Sequence, residues 1–388
     1  MTVVAAYTYD GYLYLFGDLL LSDEREDKSS IELPASGIHP DLKPDNSRIS
    51  ELRQKIVVIT PYCALGFAGD FENARKLFES LRSKARAPAR LTYCEVVAEI
   101  NAASVSATKE GYGIAIVGWY RHADGTCDSL HTNATYHKNP SGGDMLVAGT
   151  GSDLFLQAFS WVIDQTARYT TQCLTFDRRA HWLFLQAFLV GNEGFLRRHS
   201  PALSRLFGGG YELICLREEG FYKTDDVTVV LWEAFCSLTG RPKYAHSPFL
   251  AYKMSYVRDA LVIRVCSNAG KEVNGMQFPA RNTSYVALPP YIDPLQPFPD
   301  EIELVQLDSQ AVCHMVFVYL EDQFLGFFMD IDLGTQRGSC ETVAFTRPGA
   351  KGNKSLGCEI SENRKQAFRE EILNTVTEQS EKEKPSPA

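Results

Sequence analysis

Apolar residues recur along this chain at two spacings, one that suits strands and one that suits helices. Thr2-Val-Val-Ala-Ala-Tyr-Thr-Tyr9 and Tyr12-Leu-Tyr-Leu-Phe-Gly-Asp18 flank Asp10-Gly11, the arrangement expected of a β-hairpin. A further apolar run follows Lys55 and ends in Gly-Phe-Ala-Gly-Asp70. Phe71, Ala74, Leu77, Phe78 and Leu81 then fall on one helical face, as do Val96, Val97 and Ile100. Residues 111–120 return to a strand pattern. Leu154, Phe155, Ala158, Phe159, Val162 and Ile163 predict one more helix, and 182–190 another. Beyond Pro242 the character changes: short apolar runs at 260–266, 312–319 and 324–329 alternate with Pro, Gly and Asn, a β-rich pattern.

The hairpin brings chemistry with it. Methionine before a small residue is normally trimmed during synthesis, so Thr2 is expected to expose a free α-amine beside its own hydroxyl, a nucleophile and its base in one residue. What lies opposite Thr2 depends on the loop. With a three-residue loop and Gly11 left-handed, Thr8 faces Tyr12 and Thr2 faces Asp18; a two-residue loop pairs Val3 with Asp18 instead.

Thr2, the Asp-Gly turn, Gly17-Asp18 and Lys55-Ile-Val-Val-Ile-Thr-Pro-Tyr-Cys-Ala-Leu-Gly-Phe-Ala-Gly69 resemble the proteasome β-subunit family, including the bacterial proteasome-like peptidase whose chain also begins Met-Thr. The likeness continues through the strand at 111–120, Ala148-Gly-Thr-Gly-Ser152 and Gly208-Gly-Gly-Tyr-Glu-Leu-Ile-Cys-Leu-Arg-Glu-Glu-Gly-Phe221, and ends near residue 236. It implies an α+β fold, a four-layer αββα sandwich of the N-terminal nucleophile hydrolase type, followed here by a β-rich C-terminal domain. It also implies a threonine-type peptidase or amidohydrolase. Thr2 Oγ would attack an amide carbonyl, Lys55 would lower the pKa of the hydroxyl and amine, and Asp18 would hold the lysine ionised. The Gly69 N–H would stabilise the oxyanion, at a strand-to-helix junction where Asp70 reads as an N-cap. Thr150 falls where the family has a serine near the nucleophile's amine. Phe67, Phe71 and Arg75 occupy positions that approach the substrate side-chain pocket.

The chain departs from the family in two places. Leu20 stands where the family has arginine, and Pro201-Ala-Leu-Ser-Arg-Leu-Phe207 carries no matching Asp and no unambiguous Ser, although Ser204 is nearby. A non-catalytic relative and a small-molecule amidase therefore remain beside the peptidase reading.

Length and composition set the outer bounds. The 388 residues exceed one ordinary core. They divide into a hydrolase-like domain over 1–240 with a polar, proline-punctuated insertion at 22–50, a β-rich domain over 245–346 and a low-complexity tail over 347–388. One amphipathic helix is expected at 364–376. A net charge of −9 without a basic stripe argues against nucleic acid. No apolar run suits a membrane span and no signal peptide is evident, so the expected location is the cytoplasm. Ten scattered cysteines without Cys-x-x-Cys, and eight dispersed histidines, give no metal motif. No cofactor is expected. The expected partners are a peptide or protein substrate and further copies of the chain.

Overall fold

The computed structural model describes residues 2–22, 49–86, 90–111, 113–139, 143–172, 178–199, 208–224, 227–236, 242–244, 250–257, 259–267, 272–273, 276–277, 284–288, 311–320, 323–332, 343–345, 356–358 and 362–382. In chain order the elements are β1 (Val4–Tyr9), β2 (Tyr12–Asp18), β3 (Leu20–Ser22), β4 (Ile49–Leu52), β5 (Ile56–Thr60), β6 (Cys63–Gly69), α1 (Phe71–Ala85), α2 (Tyr93–Lys109), β7 (Ile114–Arg121), β8 (Cys127–Thr132), β9 (Thr135–Lys138), β10 (Asp144–Ala148), α3 (Ser152–Gln172) and α4 (Arg178–His199). They continue with β11 (Tyr211–Arg217), β12 (Gly220–Lys223), β13 (Val227–Cys236), β14 (Pro242–Tyr244), β15 (Leu250–Val257), β16 (Ala260–Ser267), β17 (Glu272–Val273), β18 (Met276–Gln277), β19 (Ser284–Leu288), β20 (Ala311–Leu320), β21 (Gln323–Asp332), β22 (Val343–Phe345), β23 (Leu356–Cys358) and α5 (Glu362–Lys382). The fold is mixed α+β with several sheets, and five helices are seen among the described residues.

The hairpin register selects between the two loops. Tyr9 pairs with Tyr12 and Val4 with Gly17, so the loop has two residues, not three. Asp10 (φ 49°) and Gly11 (φ 76°) are both left-handed, as a type I′ turn requires, and that turn matches the natural twist of the flanking strands. The Asp-Gly pair thus selects the tighter loop.

Both faces of this hairpin are buried, and alternation sorts its side chains between them. β12-β11-β2-β1-β10-β9 form a six-stranded sheet and β5-β6-β7-β8 a four-stranded one. Val4, Ala6, Leu15, Ile56, Ala64, Val117 and Ile214 fill the layer between them. The outer face of the four-stranded sheet is covered by α1 and α2, whose Leu77, Phe78, Leu81, Val96 and Ile100 pack on Leu65, Phe67, Ile114 and Ile116. Asp70 caps α1, its carboxylate accepting from Asn73 N at 2.7 Å.

The opposite face of the six-stranded sheet is richer in aromatics. Tyr7, Tyr14, Phe16 and Tyr211 pack there on Phe155, Phe159, Trp182 and Leu185 from α3 and α4. The same cluster runs on through the helices to Val229, Leu231, Met315 and Phe317 of a seven-stranded sheet, β19-β16-β15-β13-β20-β21 with β14 attached to β13. Burial of each such Leu or Phe is worth about 1.5–3 kcal/mol, so packing on both faces contributes to holding the helices. α5 covers the far face of this last sheet with Phe368 and Ile372. β13, grouped by sequence pattern with the first 240 residues, pairs here with β15 and β20, the strands that follow.

The predicted helix at 182–190 lies inside α4 and that at 364–376 inside α5. The ends of the 22–50 insertion form β3 and β4, while its centre, Ser204 with the rest of 201–207, and the proline run at 289–299 lie outside the described residues. No helix among the described residues is long and apolar enough to cross a membrane.

Candidate active site

Thr2 lies two residues before the start of β1 and Asp18 ends β2, so the two meet at the open end of the hairpin. The two-residue loop sets Val3, not Thr2, across from Asp18, and Asp18 N donates to Val3 O at 3.1 Å. The carboxylate nevertheless reaches both neighbours. Asp18 Oδ1 accepts from Thr2 Oγ1 at 3.0 Å and from Val3 N at 3.0 Å, while Oδ2 accepts from Gly208 N at 3.0 Å.

Lys55 arrives from the other sheet, directly before β5. Its Nζ lies 2.5 Å from Asp18 Oδ1 and also donates to Thr2 Oγ1 and to the Leu20 carbonyl. An ammonium has three donors, and these three acceptors use all of them. Lys55 and Asp18 are both wholly buried, so the pair is intact but dry. Burial pushes the lysine's pKa below its ordinary value, against the opposing pull of Asp18 and, to a lesser extent, Glu212. Thr2 Oγ1 therefore sits between a carboxylate that takes its proton in a hydrogen bond and an ammonium that stabilises negative charge on it.

The Gly149–Ser152 turn holds Thr2 from the other side. Thr2 N donates to Thr150 Oγ1 at 3.4 Å, and Gly151 N donates to Thr2 O at 3.2 Å. Gly149 has φ 104°, and a Cβ there would collide with the Thr2 carbonyl. The helix start expected of this segment is α3.

Thr2, Asp18, Lys55 and Thr150 are thus brought together. Gly69 ends β6 with φ 94°, where a Cβ would collide with the Gly113 carbonyl, and leads straight into the Asp70 cap. Phe67 is fully buried, edge-on to Phe71 and Phe78 in the core beneath α1, where it makes packing rather than a pocket wall. Phe71 is partly exposed under the Arg53 guanidinium, and Arg75 pairs with Glu72 at 2.9 Å on the surface.

Three further groups complete the cluster: the Gly208 N–H, the Leu20 carbonyl and Glu212. Glu212 is fully buried on β11, and its Oε2 accepts from Lys55 N at 2.8 Å and Ile56 N at 3.3 Å. One signal was available. Within the run Tyr211-Glu-Leu-Ile-Cys-Leu216 of β11 the glutamate is the sole charge. Such a charge requires a partner.

Among the described residues no three His, Cys, Asp or Glu side chains converge as a metal site requires. The chain matches no protein-family model, and no curated protein matches it either.

Proposed function

We propose that this chain is an N-terminal threonine amidohydrolase of the proteasome-like kind, acting on peptide or protein amides once the Met1–Thr2 bond has been cut. The observation that carries the reading is the double contact of Thr2 Oγ1, with Asp18 Oδ1 at 3.0 Å and with Lys55 Nζ. The helix pair, two facing sheets and second helix pair support the αββα assignment that goes with it.

In the proposed reaction the freed α-amine takes the Oγ1 proton as the oxygen bonds to the substrate carbonyl carbon. The amine then passes that proton to the leaving nitrogen as the C–N bond breaks, leaving an ester on Thr2. Water, deprotonated by the same amine, hydrolyses the ester and returns the proton to Oγ1. Lys55 favours the alkoxide-like oxygen, and Asp18 keeps the lysine in place. Thr150 Oγ1 orients the amine, and the Gly69 N–H receives the oxyanion. The exposed faces of Phe71 and Arg75 line the approach.

The test is mass spectrometry of the purified protein before and after exposure to a peptidyl electrophile that acylates or alkylates N-terminal threonine. The expected result is loss of the Met1 mass and one adduct on Thr2, with none on Thr2→Ala. Retained Met1 on a folded, unlabelled protein ends the proposal. Leu20 in place of the family's arginine favours a non-catalytic binding role as the second reading. Identical behaviour of wild type and Thr2→Ala in every assay selects it.

A further inference from the structure

β5 is the edge of its sheet, and the N–H groups of Lys55 and Ile56, at its start, donate to a side chain of the six-stranded sheet. Buried N–H groups without acceptors are costly, by about 1–3 kcal/mol each. The Glu212 carboxylate supplies the acceptor for both, so it fixes the backbone from which Lys55 projects.

The other oxygen of Glu212 faces the C-terminal sheet. Oε1 accepts from Tyr256 OH on β15 at 3.0 Å and lies 3.4 Å from Lys223 Nζ on β12. Lys223 in turn donates to Gln54 Oε1 and sits 4.8 Å from the centre of the Tyr256 ring. Gln54, next to the lysine, completes the connection. Its Nε2 donates to the carbonyls of Asp259 and Leu288, both at 2.9 Å, at the ends of β16 and β19. Residues 54–56 are therefore gripped by side-chain hydrogen bonds from one direction and by the C-terminal sheet from the other. Charge balance follows the same lines: Asp18 and Glu212 against Lys55 and Lys223, all within two linked ion pairs.

We infer that Glu212 is the positioning residue for Lys55, and that Tyr256 and the Gln54 anchors make the C-terminal sheet part of the machinery that holds the lysine beside Thr2. The role of Lys55 toward Thr2 rests on the function proposed above, but the positioning does not. A carboxylate serves here where an amide would not, because it accepts from four donors at once on two sides, and glutamine would turn one of its two ends into a donor facing another donor. The groups around the Lys55 ammonium come from several elements: Thr2 from just before β1, Asp18 from β2, the Leu20 carbonyl from β3 and, behind its backbone, Glu212 from β11 with Lys223 and Tyr256.

The experiment follows the Lys55 side chain by the NMR shift of its labelled ε-carbon against pH, in wild type, Glu212→Gln and Tyr256→Phe, together with the rate of threonine labelling. In Glu212→Gln the Lys55 titration midpoint is expected to fall, since a neighbouring anion has gone and the ammonium is less firmly held. The labelling rate is expected to drop tenfold or more, with the electrophile concentration for half-maximal rate unchanged. Tyr256→Phe keeps the charge and the fold and should slow labelling by a smaller factor in the same direction. Superimposable Lys55 titrations in all three proteins overturn the inference, whatever the labelling shows. A shifted titration in a wild type that never labels upholds the positioning and sinks the hydrolase reading instead. Should Glu212→Gln not fold, Tyr256→Phe decides alone: an unmoved Lys55 resonance and an unchanged rate count against the proposal.

Discussion

The six-stranded sheet buries polar groups on both of its faces, and it treats them in opposite ways. At the end that meets β5, Asp18, Lys55, Glu212 and Lys223 are paired as ions, two of each sign. On the helix-covered face, His181 of α4 lies among Tyr7, Tyr9, Tyr14 and Phe159, stacked 4.4 Å from the Tyr9 ring and 3.0 Å from Tyr7 OH through Nε2. Among the described residues no counter-charge faces it, and burial pushes its pKa down to about 3. A folded interior tolerates an ionisable group either by pairing the charge or by suppressing it. Only the first solution leaves charge available for chemistry, which is why the threonine proposed as nucleophile belongs to the ionic cluster and the aromatic cage belongs to the core.

The widest gap between the two clusters should appear when one member of the ionic pair is removed. Lys55→Met leaves the Asp18 carboxylate buried without its cation, which costs about 3–5 kcal/mol where a buried pair is broken. The double replacement Lys55→Met with Asp18→Asn removes both charges and keeps one amide oxygen, which can accept from Val3 N or from Gly208 N but not from both. It is expected to recover more than half of that loss in urea denaturation, while labelling of Thr2 stays abolished in both. A single Lys55→Met protein as stable as wild type would show that the carboxylate is not relying on the ammonium.

The aromatic cage makes the complementary prediction, with a smaller effect. Because the folded pKa of His181 is depressed, the unfolded chain takes up a proton that the native state refuses. The stabilising contribution is complete above pH 6.5 and is lost as pH falls toward 3, at about 1.4 kcal/mol per pH unit. Between pH 6.5 and 5 the loss is about 2 kcal/mol. His181→Gln keeps a polar partner for Tyr7 OH but does not titrate, so its stability should stay level over that interval. Parallel curves for the two proteins would remove the histidine from the account.

These two clusters were unequally legible in the amino-acid sequence. Thr2, Asp18 and Lys55 sit at strand ends fixed by local signals, the Asp-Gly turn and an apolar run, and their meeting survives the register being one residue from the three-residue alternative. It survives because Asp18 Oδ1 bonds to Val3 N and Thr2 Oγ1 together. Phe67 shows the limit of reasoning by position: its place on β6 is clear, but strand alternation turns it toward α1 and away from the hairpin. Glu212, His181 and Gln54 were opaque because their partners lie 157, 174 and 205 residues away along the chain. Local periodicity cannot reach that far. The same applies to β13, whose apolar run marks a strand but not which sheet will take it.

The smallest predicted effect concerns the turn that keeps the two clusters on their own sides. Gly11 has φ 76° and no atom within 4 Å of where a Cβ would sit, so Gly11→Ala introduces no clash, only the cost of a left-handed alanine. That cost is about 1 kcal/mol. A three-residue loop would not relieve this strain, because it too sets residue 11 left-handed, and the one-residue slip it brings would exchange the faces of every residue on one strand. Tyr14 and Phe16 would leave the aromatic layer for the narrow space between the sheets, and Leu15 would move the other way. The packing penalty of that exchange far exceeds the strain, so Gly11→Ala should lose about 1 kcal/mol and keep its register. Amide exchange and the Thr2 labelling rate would then be unchanged. A variant that loses labelling in proportion to its stability would mean that the turn, rather than the two unlike layers on either side of it, holds Asp18 beside Thr2.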